Sequence, residues 1–105
     1  MPSRLRFLFD TGSGICLWAG DAATEERHGL AVEAQALPLP PELVAEVERL
    51  TTFWDTGIDW NNPGGPSPWT AEDERDFQEQ ADALLERLRA ALGPGFEVVD
   101  ERRRL

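Results

Sequence analysis

Phe77, Ala81, Leu84, Leu88 and Leu92 recur at helical spacing until Gly93-Pro94-Gly95 stops the pattern, and this stripe constrains the fold more than any other feature. Thr70, followed by Asp73 and Glu74, supplies an N-cap with acids in the first turn, so a long amphipathic helix is expected from Thr70 to Leu92. A second stripe, Leu43, Val47, Leu50 and Trp54, is widened by Val44 and Phe53 and starts near Pro41, where a proline is tolerated because its missing N–H is an orphan donor anyway.

The rest of the chain reads as strands and loops. Leu5, Phe7 and Phe9 alternate with Arg4, Arg6 and Asp10, a period of two that predicts a strand with one buried face. Thr11-Gly12-Ser13-Gly14 is turn chemistry, and Ile15-Cys16-Leu17-Trp18 is a second apolar run, so the N-terminus is expected to form a hairpin. Asp21 can cap a short helix ending at His28 and Gly29, Leu30-Ala31-Val32-Glu33 reads as a weak third strand, and Phe96-Glu97-Val98-Val99 as a closing strand. With 105 residues there is room for one core. The expectation is a single α+β domain over residues 1–105: a small antiparallel sheet, made of the N-terminal hairpin and the C-terminal strand, packed against two main helices, with residues 101–105 as a flexible, solvated tail.

Charge narrows the function. Acids outnumber basic residues 20 to 10, and all ten basic residues are Arg. Residues 42–86 hold 12 acids against Arg49 and Arg75, so the whole formal charge of −10 lies in that stretch. Direct binding of nucleic acid or an anionic membrane would have to overcome long-range repulsion. Apolar runs are short and Met1-Pro2-Ser3-Arg4 lacks the core of a signal peptide, which makes the cytoplasm the expected location. One Cys and one His allow no disulfide within the chain and no His-Cys zinc cage, and no cofactor is implied.

Phe9-Asp10-Thr11-Gly12-Ser13-Gly14 is similar to the catalytic turn of aspartic proteases, which implies a homodimer sharing a proton between two Asp10 carboxylates. Those enzymes are almost entirely β, whereas this chain has two strong helical stripes, so the preferred role for Asp10 is to cap turn amides while Gly12 and Gly14 take positive φ. Gly12-Ser13-Gly14 lacks the Lys and the spacing of a phosphate loop, and the acids Asp55, Asp59, Glu72 and Asp73, with Asn61, match no EF-hand, so no metal site is assigned. Cys16, between Ile15 and Leu17, reads as a buried inert thiol, and His28 as a helix C-cap.

The loop from Thr56 to Trp69 is the main anomaly. Three of the four Trp residues lie at positions 54, 60 and 69, among Asp55, Asp59, Asn61 and Asn62. Trp is enriched at interface hot spots, so rings among acids suit a basic protein partner; the alternative is that the rings pin the loop to the core. The run from Trp54 to Trp69, together with the hairpin from Phe9-Asp10-Thr11-Gly12 to Leu17-Trp18, resembles a group of small, acidic bacterial immunity proteins for polymorphic toxins. That resemblance covers most of the chain and implies a non-enzymatic inhibitor that masks the active site of a toxin, such as a nuclease with a basic cleft; it carries no site residues. The residues expected to bind the partner are Asp55, Asp59, Trp60, Asn61, Asn62, Glu72, Asp73 and Asp76, chosen on charge and aromatic character. A hydrolase built on Asp10 and a structural protein whose acidity serves only solubility are the alternatives.

Overall fold

The computed structural model describes residues 2–102. Strand β1 (Ser3–Phe7) and strand β2 (Leu17–Ala19) pair antiparallel, with Leu5 opposite Ala19 and Phe7 opposite Leu17. The connecting turn is built on Gly12 and Gly14, at φ +79° and +70°, as the sequence led one to expect. Helix α1 (Ala22–His28) is capped by the Asp21 carboxylate, which accepts from the Thr24 N–H at 2.8 Å, and is ended by Gly29 at φ +85°. Helix α2 (Pro41–Asp55) and helix α3 (Ala71–Leu92) follow, and strand β3 (Phe96–Asp100) closes the chain.

The α+β class is as expected, but the sheet is mixed and not antiparallel. Its order is β2-β1-β3, and β3 runs parallel to β1, with Ser3 opposite Phe96 and Phe7 opposite Asp100. A parallel neighbour needs a long crossover, and the segment between β2 and β3, which holds α1, α2 and α3, supplies it. The third strand expected at Leu30–Glu33 reduces to one bridge, Trp18 to Ala31, flanked by Ala19 N–H to Leu30 O and Val32 N–H to Leu17 O, both 2.9 Å. A short 3₁₀ turn at Ala34–Ala36 ends the pairing there.

Alternation in β1 buries Leu5 and Phe7 completely, and these meet Leu43, Val47 and Leu50 of α2 and Phe77, Leu84 and Leu88 of α3 in one apolar cluster. Helices α2 and α3 run antiparallel: Phe53 meets Phe77 near one end, and Arg49 reaches Gln80 at 2.6 Å further along. The start of α3 is a capping box, in which Thr70 Oγ1 accepts from the Asp73 N–H at 3.1 Å and Asp73 Oδ2 accepts from the Thr70 N–H at 2.9 Å. Among the described residues no helix is long and apolar enough to cross a membrane. Of the expected tail, residues 103–105 lie outside the described part. Arg102 departs from that expectation: its side chain is 4% exposed.

Cys16 is 1% exposed, and burial pushes its thiol from an ordinary value of 9.0 up to about 12. In the unfolded chain the thiol ionises near 9, whereas the folded chain keeps its proton. Stability is therefore fully present below pH 9 and falls as pH rises toward 12, by about 1.4 kcal/mol per unit. The chain has no Lys and no Tyr, so no other side chain titrates in that window. Urea unfolding across pH 8 to 11 should show this decline, and Cys16→Ala should abolish it.

Candidate functional site

The loop between α2 and α3 is tied down at both ends by tryptophan. Trp69 Nε1 donates to Thr56 Oγ1 at 2.8 Å, and Trp54 Nε1 donates to Thr11 Oγ1 at 3.2 Å, which joins the end of α2 to the hairpin turn. Both rings are half-buried and pack on Phe77, Trp69 at 5.3 Å and Trp54 at 5.4 Å between centroids. Gly57 makes this possible, because a Cβ there would stand 3.1 Å from Trp54 O and 3.2 Å from Trp69 Cε2. For these two rings, pinning the loop to the core is what the contacts describe.

Trp60 differs. It is 58% exposed, with its indole N–H donating to Asp55 O at 3.1 Å and its ring edge lying along Gly12. Asp55 Oδ1 accepts from the Gly12 N–H at 2.9 Å. The turn-capping role expected of the Asp10 carboxylate thus belongs to Asp55, which arrives from α2; Asp10 contributes only its main-chain carbonyl, to the N–H and hydroxyl of Ser13. A tight turn needs an acceptor for its inward amide, and here the acceptor comes from 43 residues away, beyond the reach of any local motif.

The eight residues expected to bind a partner fall into two groups. Asp55, Asp59, Trp60, Asn61 and Asn62 share the loop: Asp59 Oδ1 accepts from the Asn61 N–H at 3.0 Å, and Asp59 O from the Asn62 N–H at 2.9 Å. Glu72, Asp73 and Asp76 share the first two turns of α3, where Glu72 and Asp76 are exposed and Asp73 is occupied by the capping box. Elsewhere on these elements, Glu46 pairs with Arg49 at 2.7 Å; that hydrogen bond first, and the nearby Arg charges with it, hold its carboxyl below the usual range. Glu42, Glu48, Glu72, Asp76 and Glu79 are exposed and have no Arg within salt-bridge reach among the described residues.

A cleft of about 610 Å³ opens beside this loop. Phe9, Trp54, Trp69 and Phe77 form an aromatic wall, Thr11 and Ile58 come from the two loops, and Arg6, Glu74, Gln78, Glu101 and Arg102 supply the polar side. Sequence reading missed it because its walls come from β1, α2, α3 and the residues after β3, which are adjacent only once the parallel strand is in place.

The loop and the start of α3 thus present exposed carboxylates together with the exposed ring of Trp60. The family model described as Serratia CdiI immunity protein-like matches residues 3–100, which runs from β1 to the end of β3, and the chain belongs to that family. No curated protein matches it.

Proposed function

We propose that this chain is a non-enzymatic inhibitor that binds a toxin and masks a basic active site, as an acidic surface would mask the cleft of a nuclease. Membership of an immunity-protein-like family supports toxin binding. The observation that carries the electrostatic part is Trp60, 58% exposed and fixed by Asp55, on a stretch that holds the entire −10 charge. A large ring held in place loses little entropy on binding, and the surrounding carboxylates steer a basic partner toward it. The aspartic hydrolase reading gains no support from an α+β fold in which the Asp10 turn is held by Asp55.

Neutralisation is the direct test. A cognate toxin domain, sought in the neighbouring gene, should arrest growth when expressed alone, and co-expression of the chain should restore it; unrestored growth would refute the inhibitor reading. The kinetics should separate the two residue groups. Trp60→Ala should speed dissociation by about 30-fold or more, the scale of a hot-spot residue, while leaving the melting temperature nearly unchanged. Neutralising Glu72, Asp76 and Glu79 together should slow association several-fold and flatten its salt dependence. Asp73 is left intact in that variant because its carboxylate is part of the cap. Equal binding by both variants would remove this surface from the interface.

A further inference from the structure

Trp60 sits on an irregular loop, where an exposed indole is ordinarily free to turn about its two side-chain torsions. Two contacts limit it: the Asp55 carbonyl, which accepts the indole N–H at 3.1 Å, and the backbone of the hairpin turn, where a Cβ built on Gly12 would stand 3.7 Å from Trp60 Cη2. Asp55 governs both. Its carbonyl holds the ring directly, and its carboxylate accepts from the Gly12 N–H at 2.9 Å and so holds the turn along which the ring edge lies. The position of this acid is itself informative. Asp55 is the last residue of α2, with no basic residue in that last turn, and a negative charge there opposes the helix dipole. No arginine pairs with it among the described residues. A half-buried carboxylate at the unfavourable end of a helix, bonded to a backbone amide of another loop, suits a tie between two loops better than a free charge offered to a partner.

We propose that Asp55 is the positioning residue of the toxin-binding surface: it does not touch the partner, and it acts by locking the hairpin turn at Gly12 against Trp60 so that the ring is presented in one orientation. The assignment rests on the reading of the chain as a toxin inhibitor, and it makes recognition depend on a turn 43 residues away in sequence. Preorganisation of this kind lowers the ordering cost of binding and adds no contact. The test compares Asp55→Ala, which removes the tie, with Asp55→Asn, whose side-chain oxygen still accepts from Gly12 while the charge is gone. In the free chain, nitrogen-15 relaxation of the indole N–H groups should show Trp60 more mobile in Asp55→Ala and unchanged in Asp55→Asn, with Trp69, bonded to Thr56, unaffected in both. Against the cognate toxin domain, Asp55→Ala should bind about fivefold more weakly, the scale of ordering one freed side chain, and Asp55→Asn within about twofold of the parent. In a Trp60→Ala background, Asp55→Ala should change affinity by less than about twofold, because the ring it positions is gone. A Trp60 indole as ordered in Asp55→Ala as in the parent would overturn the proposal. So would equal losses for the Asn and Ala variants, or full additivity with Trp60→Ala, since either would make Asp55 a charge that the partner meets directly. Failed neutralisation by a chain whose Trp60 loosens as expected would refute the inhibitor reading, whereas neutralisation with undiminished affinity for Asp55→Ala would refute the positioning role alone.

Discussion

Phe77→Ala is expected to cost about 3–5 kcal/mol, enough to lower the melting temperature by roughly 15–20 °C and to leave a substantial unfolded fraction near 37 °C. Phe77 is completely buried on α3, and four other rings meet it: Phe9 at 4.9 Å, Trp69 at 5.3 Å, and Phe53 and Trp54 at 5.4 Å. Truncation removes the apolar area of the ring and opens a cavity that four large, already packed neighbours cannot close by small shifts. The effect should reach beyond α3, because Trp54 and Trp69 orient the loop by their contacts with this one side chain. Urea unfolding followed by tryptophan fluorescence should therefore show a lower midpoint and a changed native emission. Phe77→Leu, which keeps most of the volume, should lose less than half as much. A loss below about 1 kcal/mol for Phe77→Ala would mean that the aromatic cluster does not hold the loop.

How much of this was legible in the sequence depends on the range of the interaction involved. The α3 stripe, its Thr70 cap and its Gly93 stop were readable because each lies within a few residues of its partner; the same holds for Pro41 at the start of α2 and Asp21 at the start of α1. The direction of β3 was not readable. A period-two run shows that one face is buried and says nothing about which neighbour it pairs with or in which sense. The candidate site divides in the same way. Trp60 was legible as the freer ring because it falls off the helical stripe that carries Trp54. The role of Asp55 was not, since a carboxylate at the end of α2 looks like any other acid until the hairpin turn is placed against it. Asp73 shows the reverse case: chosen for its charge, it is also a local cap whose carboxylate has a partner within its own first turn.

Arg102 is where a local reading and a long-range structure differ most, and it carries the second large effect. An arginine in a run of three, next to Glu101, reads as solvated, yet its guanidinium sits 5.2 Å over the Phe7 ring and donates to Gln78 at 3.1 Å and to Asp100 at 2.9 Å, with Asp82 at 2.5 Å. Burial alone would lower the tendency of this group to hold its proton, but the bonds to Asp100 and Asp82 outweigh it and the balance is raised above the ordinary arginine value, so the charge is fixed at every working pH. Removing it leaves carboxylates at the end of β3 and on α3 without their shared cation. A fully buried pair broken in this way costs about 3–5 kcal/mol, and because Asp82 is half-exposed and can be rescued by water, Arg102→Met is expected to cost about 2–3 kcal/mol. Arg102→Lys should recover only part of this, since one ammonium cannot reproduce a planar fork that bonds to three side chains and stacks on a ring. The discriminating measurement is a double-mutant cycle with Asp100→Asn: if the group acts through the ion pair, the double variant should be less destabilised than the sum of the two single ones by about 1 kcal/mol or more. Strict additivity would instead assign the loss to packing of the arginine stem over Phe7.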